Sequence, residues 1–137
     1  MKKILYILIF LLLGIFAACS EEAGTTSNYE NRQPSWQTIT ATEALSVMEE
    51  SDNFIILDVR TTAEYYEMRI EGAVLIPYDE IADRAAIELP DKDVIILIYC
   101  RTGRRSALAA ADLAMLGFSA IYDFGGIIGW PYETIGR

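Results

Sequence analysis

Apolar and polar positions along the chain fall into short blocks that switch between two periods. From Trp36 to Ile39 a short run reads as an edge strand. Thr40-Ala41-Thr42-Glu43 has the spacing of a capping box, and Ala41, Ala44, Leu45 and Met48 then recur at helical spacing. Phe54 to Leu57 is continuously apolar, as a strand buried on both faces must be. Asp58-Val59-Arg60 closes it, and Thr61 to Glu64 forms a second capping box that predicts a short helix. Val74-Leu75-Ile76 reads as a strand ending at Pro77. Asp79 to Leu89 reads as a helix with Ile81, Ala85 and Leu89 on one face. Val94 to Tyr99 is the most apolar block and is expected at the centre. Ser106 to Leu116 is a helix stopped by Gly117, and Ala120 to Tyr122 is the last strand. Gly125-Gly126 and Gly129 are expected to make a tight turn into a short terminal helix around Trp130.

Strands alternating with helices predict an α/β fold, with a parallel sheet covered by helices on both faces. Such sheets bind ligands at the carboxyl ends of their strands, where Asp58, Arg60 and Cys100 fall. The chain shows no internal repeat.

The amino-terminal block has a different pattern. Met1-Lys2-Lys3 is cationic, and Ile4 to Ala18 is almost wholly apolar. That run is short of the roughly 20 residues of a bilayer-spanning helix and suits a secretory signal. It ends in Phe16-Ala17-Ala18-Cys19-Ser20, which resembles the bacterial lipobox, with Phe16 where leucine is usual. The expected organisation is a signal peptide over 1–18, cleavage before a lipidated Cys19, a polar tether over 19–34 and one domain over 35–137. Ser20 after the cysteine resembles the signal for passage to the outer membrane. Export with a lipid anchor in the cell envelope, at the periplasmic face or the outer membrane, follows as an expectation.

Charge and residue counts narrow the chemistry. Eleven Lys and Arg against 20 Asp and Glu give a net charge of −9, and loss of Lys2 and Lys3 takes it to −11. So acidic a chain repels nucleic acid. It holds no histidine, which excludes a Cys-His dyad, a Ser-His-Asp triad and histidine metal sites. No metal and no cofactor is expected. With Cys19 lipidated, Cys100 has no disulfide partner, and an unpaired cysteine in an exported protein suggests a reactive thiol.

Its surroundings strengthen that suggestion. Tyr99-Cys100-Arg101-Thr102-Gly103-Arg104-Arg105-Ser106 carries one thiol from a strand into a helix through three arginines and a glycine. Backbone N–H groups and the positive end of a helix dipole favour thiolate over thiol. Arg104 and Arg105 suit the oxygens of an anionic substrate, while Arg101 either does the same or points outward and steers it. Ser106 is expected as a helix cap. Arg60 and Glu64, four apart, are expected to pair as a structural clamp.

The ordered set of Asp58-Val59-Arg60, Glu64-Tyr65, Ile70-Glu71-Gly72-Ala73, Ile76-Pro77, the cysteine loop, Gly125-Gly126 and Gly129-Trp130 resembles the rhodanese (sulfurtransferase) family. The likeness runs from Trp36 to Arg137, with one departure: Met68-Arg69 stands where the family usually has Gly-His. It implies a single rhodanese-like domain with a mostly parallel five-stranded sheet. It further implies a cycle in which Cys100 takes sulfur from thiosulfate or a similar donor and passes it to cyanide or a thiol. Arg101, Thr102, Gly103, Arg104 and Arg105 would form the substrate cradle, with Asp58, Arg60 and Ser106 at its edge. The loop resembles those of thiosulfate-using members more than mercaptopyruvate-using ones. The partners implied are a small anionic sulfur donor and a thiophilic acceptor, which a protein thiol would also satisfy. The domain is expected to be monomeric. The alternatives are a non-catalytic binding module, a persulfide carrier, and a phosphatase or arsenate reductase. The last resembles Cys-x5-Arg, which would need arginine at Ser106; here Arg105 comes one residue early.

Overall fold

The computed structural model describes residues 35–137. The expected signal segment, Cys19 and the tether lie outside the described residues. Among the described residues, seven strands and four helices follow one another, with strands and helices alternating through most of the chain as expected. They are β1 (Gln37–Thr38), α1 (Ala41–Glu50), β2 (Phe54–Asp58), α2 (Thr62–Glu67), β3 (Met68–Arg69), β4 (Val74–Leu75), α3 (Ile81–Glu88), β5 (Ile95–Cys100), α4 (Arg104–Met115), β6 (Ala120–Gly126) and β7 (Ile135–Gly136). Five strands form one sheet in the order β1-β6-β5-β2-β4, and every pairing in it is parallel. The most apolar block, β5, lies at its centre.

The reason for that block is visible in where its side chains go. Ile96, Ile98 and Cys100 enter the core under α3 and α4, with Leu57, Ile81, Ala85, Ala109, Ala110, Leu113 and Ile121. Leu97 and Tyr99 enter the opposite core with Ala44 of α1, Ile56, Ile70, Ala73, Phe124 and Ile127. Successive residues of a strand face opposite sides, so a sheet covered twice must be apolar at every position. Both capping boxes form. Thr40 and Thr61 each accept from the N–H of the glutamate three residues on, and Glu43 and Glu64 reach back to the threonine N–H.

Three boundaries differ from expectation. The helix after the cysteine loop begins at Arg104, with Gly103 as its N-cap at φ +102°, so Arg104 and Arg105 belong to its first turn. Ser106 is therefore inside the helix and is not its cap. β6 continues to Gly126, and Gly125-Gly126 extend the strand across a register shift opposite Cys100. The terminal helix is one 3-10 turn, Ile127–Gly129, which ends before Trp130. A second, two-stranded sheet, β3 antiparallel to β7, has no counterpart in the sequence pattern. Unlike Val74-Leu75, neither Met68-Arg69 nor Ile135-Gly136 lies in an apolar run, and tertiary closure alone makes this pair.

Candidate functional site

Cys100 ends β5 at the carboxyl edge of the sheet and is 1% exposed. Arg101, Thr102 and Gly103 carry the chain over the sulfur into α4, and the Gly103 N–H donates to Cys100 Sγ at 3.1 Å. Gly126 makes this path possible, because a Cβ there would lie 2.6 Å from Thr102 Cα. The loop thus rests directly on the backbone of β6.

Burial alone would push the Cys100 thiol up. The Ser106 N–H and hydroxyl, then the N–H groups of Gly103 and Thr102, outweigh it and hold the thiol below its ordinary value. These donors form a nest at a helix N-terminus, an arrangement that stabilises an anion without an imidazole. Ser106 also donates its hydroxyl to Gly103 O at 3.0 Å, and it lies 3.3 Å from Gly125 O.

The arginines separate into different roles. Arg105 forms a bidentate pair with Glu64 at 2.8 and 2.7 Å. That pair raises its pKa, and the Cys100 sulfur adds to the effect. Arg101, Thr102 and Arg104 are exposed. Arg101 stands between two hollows. One of about 550 Å³ is lined by Arg60, Glu64, Glu67, Met68, Ile127 and Ile128 beside it. The other, of about 330 Å³, includes Thr102, Gly126 and Gly129.

Asp58 and Arg60 do not converge on the sulfur. Arg60 Nε donates to Asp58 Oδ1 at 2.9 Å, and the Tyr99 hydroxyl donates to Asp58 Oδ2 at 2.6 Å. Arg60 Nη2 donates to Met68 O at 2.6 Å, which fixes the floor of the larger hollow. The expected Arg60–Glu64 clamp is absent. Asp58 takes Arg60 first, and the Thr61 capping box turns Glu64 towards Arg105. Glu64 is held at a pKa of about 2, chiefly by the Arg105 hydrogen bonds.

Sequence reasoning missed Asp123. It is 4% exposed on β6, and its carboxylate accepts from Gly125 N at 2.9 Å. The available signal was one acid inside the apolar stretch Ala120 to Gly126. Among the described residues no cluster of acids and cysteine is arranged to hold a metal.

A thiol seated under a helix N-terminus, at the carboxyl edge of a five-stranded parallel sheet, defines a class of α/β domain built around an anion-holding cysteine loop. The profile of the rhodanese-like domain matches residues 40–131, and the chain belongs to that family. Thiosulfate sulfurtransferase PspE of Escherichia coli is 34% identical over 71 residues, 52% of this chain and 68% of that protein. The probable adenylyltransferase/sulfurtransferase MoeZ of Mycobacterium tuberculosis is 35% identical over 97 residues, 70% of this chain but 25% of that longer protein. A solved structure described as rhodanese with anions, from E. coli, superposes with a TM-score of 0.57 at 29% identity, covering 61% of this chain and 98% of its own. Membership of the family is consistent with sulfur-transfer chemistry in general.

Proposed function

We propose that this protein is a sulfurtransferase that moves the outer sulfur of thiosulfate, or a similar donor, to cyanide or a thiol through a persulfide on Cys100. The observation that carries this reading is the curl of backbone N–H groups around a buried thiol of lowered pKa. The Cys100 thiolate attacks the outer sulfur and forms a new S–S bond. The bond to the sulfonate sulfur breaks, and sulfite leaves with its electron pair. The resulting persulfide anion occupies the same nest. The acceptor then attacks the outer sulfur, and the Cys100 thiolate departs with the bonding pair. Arg105 and Arg104 meet the donor's oxygens, and Arg101 steers it in. The likeness to a thiosulfate sulfurtransferase and to a rhodanese described with anions supports the choice of donor.

The test is to incubate the protein with thiosulfate and weigh it. One added sulfur, removed by a reducing thiol and absent in Cys100→Ser, is expected. An unchanged mass for folded protein with a free thiol refutes the reading.

A protein thiol as acceptor is the second reading. Met68, 39% exposed, and Ile128, 65% exposed, give the larger hollow an apolar rim that cyanide does not need. We also propose that the domain is monomeric, exported and held to the envelope through lipid on Cys19. The cationic and apolar leader supports the export and the anchor. Labelled palmitate should enter the wild-type chain in the producing bacterium and not Cys19→Ser.

A further inference from the structure

Four charged side chains line the larger hollow beside the cysteine loop: Arg60, Glu64, Glu67 and Arg101. Two of them are already matched. Arg60 is committed to Asp58 and Met68 O, and Glu64 to Arg105 and the Thr61 cap. Glu67 and Arg101 form no ion pair among the described residues. Arg137 borders a neighbouring hollow with Glu67 and does not come within ion-pair distance of it. The hollow thus presents one unmatched carboxylate, one unmatched guanidinium and the apolar surface of Met68 and Ile128.

The fold holds Glu67 where it is. It is the last residue of α2, and β7 packs on its backbone so closely that a Cβ at Gly136 would collide with Glu67 O. The Met68–Gly136 pairing continues that contact. Arg101 directly follows Cys100 in the chain, so the two unmatched charges have different distances to the thiol along the wall of the hollow. Neither thiosulfate nor cyanide carries a positive group for Glu67 to bind. A hollow of about 550 Å³ is also far larger than either needs, and it falls in the roughly 300–1,000 Å³ range of sites for small organic ligands.

We infer that Glu67 selects the sulfur acceptor: the larger hollow takes a small thiol that carries an ammonium group. The ammonium meets Glu67, the carbon stem lies against Met68 and Ile128, and Arg101 draws the thiolate end towards Cys100. The acceptor thiol gives its proton to water and then attacks the outer sulfur of the Cys100 persulfide. A new S–S bond forms on the acceptor, and the Cys100 thiolate leaves with the bonding pair. A lysine beside a cysteine of a partner protein presents the same chemistry, so the two sources are compared below.

The inference rests on sulfur transfer through Cys100, but its first test needs no sulfur donor. Failure of thiosulfate loading and failure of this selection are therefore read separately. The full chain is treated, at about 0.15 M salt to screen remote charges, with aminoethyl, sulfonatoethyl and methyl methanethiosulfonate. The Cys100 thiolate attacks the sulfenyl sulfur, a disulfide forms and methanesulfinate leaves with the bonding pair. The rate is read by mass spectrometry on the peptide containing Cys100. The methyl reagent is neutral, and dividing by its rate in the same protein removes any change in access or thiol acidity. Glu67→Gln should lower the ratio of cationic to anionic rates about tenfold, roughly threefold from each reagent, and Glu67→Lys should lower it further. Glu71→Gln removes an exposed acid outside the hollow and should move the ratio less than about twofold. An unchanged ratio in Glu67→Gln, or an equal fall in Glu71→Gln, overturns the selection. With sulfur-loaded protein, cysteamine and a blocked Lys-Cys peptide are then compared as acceptors. The lower half-saturating concentration identifies a free aminothiol or a protein segment as the source. Glu67→Gln should raise that concentration several-fold, and no rise with either acceptor also overturns the selection.

Discussion

Two arginine–carboxylate pairs stand near the carboxyl edge of the sheet, and their surroundings give them opposite uses. Asp58–Arg60 is sealed, with the two side chains 0% and 3% exposed. Glu64–Arg105 is 24% and 20% exposed and bridges α2 to α4 beside the cysteine loop. The sealed pair is saturated: the Arg60 N–H and side chain and the Tyr99 hydroxyl all donate to Asp58, and Arg60 also holds Met68 O. Water cannot replace a lost partner there. At the open pair water can, so an incoming anion can compete with Glu64 for Arg105. One pair holds the strand ends together, and under the proposed function the other sets how much positive charge the site presents.

The largest effect that separates them is on stability. Asp58→Asn leaves the Arg60 guanidinium buried without a counter-charge, which costs about 3–5 kcal/mol. That is a large part of the roughly 5–15 kcal/mol that holds a domain of this size together. Urea denaturation should show a much lower midpoint for Asp58→Asn, and a loss under 1 kcal/mol would mean the pair is not a keystone. Glu64→Gln keeps a residue able to close the capping box and removes only the charge, so a loss of about 1 kcal/mol is expected. Its main consequence lies elsewhere. Arg105 is released, and the thiosulfate concentration for half-maximal persulfide formation should fall several-fold, whereas Arg105→Ala should raise it. If Glu64→Gln leaves that concentration unchanged, Arg105 is not a docking group.

Acid exposes the same contrast. The folded pKa of Glu64, about 2, lies below its ordinary value of 4.5. A depressed carboxylate contributes stability above its unfolded pKa and loses it as pH falls towards the folded one. The stability difference between wild type and Glu64→Gln should therefore be flat above pH ~5 and close steadily towards pH ~2. A difference independent of pH over that range would assign the effect to packing.

The contrast between these pairs also marks what the sequence pattern could convey. Both faces of the sheet, its central strand and both capping boxes are local or periodic signals, and each formed as expected. Cys100 was legible because a strand end, a glycine and a helix start converge on it. The Arg60–Glu64 pairing was misread because i,i+4 spacing describes a helix, and Arg60 precedes α2. The true partners, Asp58 for Arg60 and Arg105 for Glu64, are decided by a tight turn and by a separation of 41 residues. Asp123 was missed for a related reason. Its burial depends on β6 lying beside β5, and one acid in an apolar strand identifies the anomaly but not the neighbour.

The smallest effect on the fold belongs to Arg101, and its size sharpens the comparison from the other side. Arg101 is exposed between two hollows, and its side chain donates no hydrogen bond to the protein among the described residues. Arg101→Ala should change stability by less than about 0.5 kcal/mol. A cation of this kind acts on approach, through a field that salt screens within about 10 Å at 0.1 M. The variant should load sulfur from thiosulfate more slowly at low ionic strength, and the gap from wild type should narrow as salt is added. Arg105→Ala should keep its deficit at high salt, because a bidentate contact at the seated donor is short-ranged. Equal salt dependence of the two variants would place both arginines in the same role.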